Sequence, residues 1–271
     1  MSNGLRTAVE RLGSFGNDGF CYVGGLGYLA WDTVRWSLRA LVGRPRISWG
    51  ALTFQMVRVG IQAIPIIALV HFFIGMILPF EMAPVLRDYG MLNQIATIVV
   101  KAIFPQLAPI FSAIVLSGFA GAAIAAELGT MVVSEEILAL QTMALNPVRF
   151  LVVPRVLACI VMLVCLTIVA DLVAWTGGLV VYTFFLDGTV LEYYDRALES
   201  LLYRDILSGL VKAVFFAVLV SLISCYEGLR VSGGAQGVGR ATTQSVVKSI
   251  VAIIACNMIL TVFFYYYWPS K

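Results

Sequence analysis

The residues whose chemistry most needs a reason are ionisable groups set in long apolar runs: Lys101, Asp171, Lys212 and His71, the single histidine. In hydrocarbon such groups pair across helices, reach back to the interface, or carry protons and ions. Lys101 is expected to snorkel to the outer interface. Lys212, only about two turns into its run, has the same escape. Asp171 can bond across helices, and His71 reads as one hydrogen bond to a neighbouring helix. These groups are too few for an ion pathway, which disfavours ion-coupled transport and fits a largely apolar substrate.

Other chemistry is excluded by spacing. The run Gly234-Ala235-Gln236-Gly237-Val238-Gly239-Arg240-Ala241 has the glycine spacing of a phosphate-binding loop. It lacks the lysine and the Ser/Thr that would reach phosphates and magnesium, so it reads as a flexible turn capping the preceding span. The single histidine, His71, lies in mid-span, so no Ser/His/Asp set is proposed. The five cysteines are scattered without a CxxC pair and read as small buried hydrophobes, not as metal ligands or disulfides. The chain is therefore expected not to be an enzyme and to hold no cofactor or metal.

The elements that carry these residues are membrane spans. The 271 residues are 61% hydrophobic and 12% charged, with a mean hydropathy of +0.94. A soluble domain is nearer half apolar and a quarter charged. Residues 1–19 have no continuous apolar run, so insertion is expected to be signalled by the spans themselves. Within 20–49, Leu29, Val34, Leu38 and Leu41 recur at helical spacing among Asp32, Arg35 and Arg39, with Trp31, Trp36 and Trp49 nearby. This predicts an amphipathic helix lying in the membrane plane. Five spans follow, at about 59–80, 102–125, 151–173 or further, 206–226 and 246–267. Polar connections are expected at 81–101, 186–205 and 227–245. Pro65 and Pro79 predict interruptions in the first span, and small residues from Gly118 to Ala123 predict close helix approach in the second. The fold class is thus an all-α integral membrane protein: an interfacial region at 1–49, then a five-span domain at 50–271.

Between spans 2 and 3 the sequence turns polar. Ser134 can cap a helix whose first turn carries Glu135 and Glu136. Ile137, Leu138, Leu140, Met143 and Leu145 give it an apolar side, and Asn146-Pro147 is expected to stop it. A short amphipathic helix at 126–147 can be interfacial filler or a docking surface for a soluble partner. Arginines at positions 6, 11, 35, 39, 44, 46, 149, 155, 230 and 240, with Lys248, put the N-terminus, this helix and the 227–245 loop in the cytoplasm. Five spans then put the C-terminus outside.

The stretch GAAIAAELGTMVVSEEILALQTMALNPVRFLVVPRVLA resembles the signature of the MlaE/YrbE family of permeases, membrane subunits of lipid-transporting ABC systems that work with MCE proteins. Val42-Gly43-Arg44-Pro45 and the segment from Ile223-Ser224-Cys225-Tyr226-Glu227-Gly228 through Ser232-Gly233-Gly234 to Gly239-Arg240-Ala241-Thr242-Thr243 match as well, so the resemblance runs over about 20–268. It implies a phospholipid transporter in the bacterial inner membrane that serves lipid uptake or outer-membrane asymmetry. The implied partners are a second copy, an ABC ATPase that binds ATP and Mg, an MCE protein and a small STAS-type regulator, with no nucleic acid. By position it implies ATPase coupling through Glu127, Glu135, Glu136, Leu140, Met143, Asn146 and Pro147. It implies a lipid cavity bordered by Leu78, Tyr89, Pro105, Gln106 and Pro109, with Lys212 beside them. Where family members carry an Arg-Glu pair, this chain has Pro105-Gln106, so headgroup-binding charge is missing there. A secondary transporter and a non-transporting anchor of an MCE complex are the alternatives.

Overall fold

The computed structural model describes residues 2–42 and 49–267, with side chains from Gly19 to Arg39 and from Trp49 onward. The Gly43-Arg44-Pro45 part of the resemblance, Arg46, Trp268 and the C-terminus lie outside the described residues, as do the Arg6 and Arg11 side chains. Every regular element described is helical. Five runs are long and apolar enough to cross a membrane: Trp49–Asp88, Leu92–Val133, Val148–Phe185, Tyr203–Leu229 and Gly234–Tyr267. The chain is an all-α integral membrane protein, as its composition and periodicity predict.

Helix α1 (Ser2–Val42) precedes the spans. Phe20, Val23, Trp31, Val34 and Leu38 are exposed along one stripe, while Leu29 and Thr33 are buried against the bundle. The stripe suits a helix lying in the interface. Tyr22 packs edge-on to Tyr226 at 5.1 Å, and Arg149 stacks over Trp36 at 5.8 Å. Burial, with Glu227 nearby, raises the Tyr22 phenol and keeps it neutral.

Several prolines stand at the start of helical segments. Span 1 comprises α2 (Trp49–Val59), a 3₁₀ turn at Ile61–Ala63, and α3 (Ile64–Asp88), which Pro65 opens; the interruption expected at Pro79 does not occur, and α3 runs on through Pro79 and Pro84. Span 2 runs through α4 (Ile95–Ala102), a π turn at Ile103–Leu107 holding Pro105, α5 (Ala108–Leu116) begun by Pro109, a second π turn at Ser117–Gly121, and α6 (Ala122–Val133). A short helix α7 (Glu136–Thr142) follows. Span 3 begins with a π turn at Val148–Val152 and continues as α8 (Val153–Phe185), with Pro154 in its first turn. Beyond it come α9 (Val190–Ser200), α10 (Tyr203–Leu229) and α11 (Gly234–Tyr267).

Spans 1 and 3 form the tightest pair, because α3 crosses α8 through glycines. A Cβ on Gly75 would stand 1.9 Å from the Ala174 carbonyl oxygen, and one on Gly177 would stand 2.4 Å from that of Phe72. Such contact is the use of small residues in a membrane core. The α10 helix packs between α8, α6 and α11.

Three sequence expectations are corrected. The 81–101 connection is mostly helix: α3 runs to Asp88, and Gly90, at φ +67°, closes a tight turn before Leu92–Gln94. The glycine run at 234–241 is not a flexible turn but the first turns of α11, and the 227–245 loop shrinks to the residues around Arg230–Gly233. Packing needs a glycine at one of these positions: a Cβ on Gly237 would meet the Ser232 carbonyl oxygen at 2.0 Å. The acidic 186–205 connection contains α9, seated by buried Tyr193 and Ala197.

Candidate functional site

The polar segment between spans 2 and 3 is an elbow, not one helix over 126–147. Span 2 continues through α6 to Val133, and Ser134 closes that helix, its N–H donating to the Thr130 carbonyl at 2.9 Å. Ser134 therefore ends α6 and does not cap α7. Its hydroxyl also lies 2.9 Å from Glu136 Oε1. The chain turns at Glu135, which adopts left-handed backbone (φ 62°), and α7 runs for seven residues. At its far end Leu145 N–H donates to Leu140 O and Ala144 N–H to Gln141 O, both at 3.0 Å. This is a Schellman close, with Ala144 (φ 57°) in the left-handed position usually taken by glycine. Asn146-Pro147 does not stop this helix; the close at Ala144 does. Asn146 instead accepts from Val148 N–H at 2.9 Å and, with Pro147, starts span 3.

The expected single apolar side is divided. Ile137, Leu140 and Leu145 are half-buried toward their own bundle, while Leu138 and Met143 are exposed beside Glu135 and Glu136. The elbow thus offers two apolar side chains and two carboxylates to the solvent side.

Glu127 lies outside this surface. Its Oε2 accepts from Arg58 of α2 at 2.8 Å and pairs with Arg155 of α8 at 3.1 Å. Arg155 is buried and also donates to the Leu151 carbonyl at 2.7 Å. One carboxylate and two guanidiniums therefore join spans 1, 2 and 3 at the elbow end. Nothing in the sequence singles out Arg58, which stands just before the first apolar run, where any flanking arginine looks like an interfacial anchor.

At the other end of the bundle, the residues matched to a lipid cavity separate. Lys212 and Gln106 meet: the ammonium donates to Gln106 Oε1 and, at 3.0 Å, to Thr261 Oγ1 of α11. Lys212 is 3% exposed and does not snorkel. Gln106 and Pro105 occupy the first π turn of span 2, an irregularity common at functional sites. Leu78 is half-buried on α3, Tyr89 stands exposed where α3 ends, and Pro109 is buried. Lys101 does not snorkel freely either, since it pairs with Asp205 at 2.6 Å. His71 makes the expected interhelical contact, a long one of 3.4 Å to Ser112, and lies 2.8 Å from the Ile67 carbonyl oxygen of its own helix. Asp171 is buried, with one carboxyl oxygen unpartnered.

A family model described as Permease MlaE matches residues 52–263. A probable ABC transporter permease protein of Rickettsia prowazekii is 35% identical over 222 residues, 82% of this chain and 86% of the relative. The intermembrane phospholipid transport system permease protein MlaE of Haemophilus influenzae is 32% identical over 225 residues, with the same coverage. The chloroplastic protein TRIGALACTOSYLDIACYLGLYCEROL 1 of Arabidopsis thaliana is 32% identical over 228 residues, 84% of this chain and 65% of that protein.

Proposed function

The chain belongs to the MlaE permease family, and on that premise we propose that it is the membrane subunit of an ATP-driven phospholipid transporter. It exchanges lipid between the bacterial inner membrane and an MCE protein. A separate ABC ATPase, binding ATP and Mg, docks on the elbow, and a small STAS-type regulator accompanies it. Two copies assemble, and the broad apolar face of α11 (Val247, Val251, Ile254, Met258 and Ile259, all exposed) is consistent with burial against lipid or a second copy. The arginine-rich elbow end lies in the cytoplasm and the C-terminus in the periplasm. Leu78, Tyr89, Pro105, Gln106, Pro109 and Lys212 border the lipid path.

The observation that carries this reading is the outward surface of the elbow. Leu138 and Met143 are exposed, Glu135 and Glu136 sit beside them, and two fixed turns, at Glu135 and Ala144, bound the helix that presents them. A surface so small and exposed suits a groove on a soluble protein. Removing one anchor from such an interface costs about 2 kcal/mol or more. Leu138→Asp should leave the permease folded and dimeric, lose the ATPase in pull-downs and abolish transport. Retention of the ATPase at wild-type stoichiometry with normal transport would disprove the docking assignment.

A further inference from the structure

The elbow hangs from two limbs, α6 and the start of span 3, and the Glu127–Arg155 pair clamps these limbs together. Span 1 is attached differently. Its first helix, α2, packs on α8, but between α2 and α6 there is a cavity lined by Gln55, Arg58, Gln62, Phe119, Ala123 and Glu127. Side-chain packing does not close this gap. Beside the approach of α2 to the Ser117–Gly121 turn, the 2.8 Å bond from Arg58 to Glu127 ties α2 to α6 across it.

We propose that Arg58 is a positioning residue: through Glu127 it couples displacement of the elbow to span 1. The inference rests on the docking reading above. Movement of a docked ATPase shifts α6 and the start of α8 as one clamped unit. The Arg58–Glu127 bond then draws the near end of span 1 with them, across a cavity that leaves room for the movement. Arg58 on α2 and Leu78 on α3 belong to the same span, joined through the 3₁₀ turn at Ile61–Ala63, so span 1 connects the ion cluster to the residues assigned to lipid. Coupling of this kind travels through ion pairs and rigid helices. The pair is half-exposed, so it contributes little to stability. Its loss should therefore spare the fold while loosening the mechanical link.

The test uses the permease purified with its ATPase and MCE partner, in vesicles of phosphatidylethanolamine and phosphatidylglycerol with a trace of fluorescent phospholipid. Lipid moved per ATP hydrolysed is the readout, since a purely structural defect lowers both quantities together. Arg58→Gln should keep the ATPase at wild-type stoichiometry and keep ATP hydrolysis, yet move about tenfold less lipid per ATP, within the usual range of coupling between sites. Arg58→Lys, which preserves the charge, should recover most of the loss. An unchanged ratio in Arg58→Gln overturns the inference, as does equal impairment in both variants or loss of the ATPase from Arg58→Gln. Failure of the docking reading is recognised separately, by Leu138→Asp retaining the ATPase.

Discussion

Lys212 of α10 and Thr261 of α11 meet at 3.0 Å inside the bundle, and Gln106 of span 2 completes the contact as a second acceptor. The two acceptors also approach each other, Thr261 Oγ1 donating to Gln106 Oε1 at 3.3 Å. Deleting the cation and deleting its acceptor are therefore unequal changes. Lys212→Met leaves Gln106 and Thr261 bonded to each other. Gln106→Leu leaves a buried ammonium short of an acceptor, at a cost of roughly 2 kcal/mol or more. Thermal unfolding in detergent should show the larger loss for Gln106→Leu. A larger loss for Lys212→Met would contradict the arrangement.

Ala144 holds left-handed backbone at the close of α7, where Gly90 serves the equivalent turn after α3. A Cβ in that conformation costs about 1 kcal/mol. Ala144→Gly should leave docking intact and make the elbow slightly more resistant to limited proteolysis. Ala144→Val should expose it to cleavage and weaken ATPase retention.

Gly75 and Gly118 predict opposite outcomes for the same substitution. A Cβ at Gly75 collides with the backbone of Ala174, whereas one at Gly118 meets nothing within 4 Å. Gly75→Ala should cost roughly 1–3 kcal/mol or more through forced separation of α3 and α8, read as a lower melting midpoint. Gly118→Ala should be neutral.

Glu135 and Glu136 present carboxylates on the elbow's open side. Reversing both to lysine should weaken ATPase binding most at low ionic strength and progressively less as salt screens the surface. Association rates measured at two salt concentrations test this, and a salt-independent loss would point to misfolding of the elbow instead.

Much of the architecture is visible in the sequence. The five spans follow from long apolar runs, and the interfacial helix follows from Val34 and Leu38 with the nearby Trp31, although Leu29 of the same repeat turns toward the bundle and the Leu41 side chain lies outside the described residues. Boundaries are less visible. Glycines 237 and 239 read as a loop because isolated propensity disfavours glycine in helices, yet both lie in α11, where Gly237 packs closely on the Ser232 backbone and the Val231 side chain. Ser134 resembles an N-cap because the sequence does not show that α6 is still running when it arrives. Lys212 resembles a snorkelling residue because its acceptors, Gln106 and Thr261, lie 106 and 49 positions away. Of the residues proposed for coupling, Glu135 and Glu136 are legible as charged surface, whereas Met143 reads as part of an apolar side that the structure divides. Glu127 was not legible as an ion-pair hub, because its partners lie on two other spans.

The three π turns, at Ile103–Leu107, Ser117–Gly121 and Val148–Val152, each amount to one surplus residue within an otherwise α-helical path. Removing a residue from a regular span swings everything beyond it by about 100° and shortens it by about 1.5 Å. At a π turn the surplus can be given up locally, the ladder relaxing to α geometry while the flanking segments keep their partners. These are therefore the places where the length of spans 2 and 3 can change by one without rewriting the bundle. The first of them also sets the aim of Gln106, so a deletion there would spare the fold and yet turn that side chain away from Lys212.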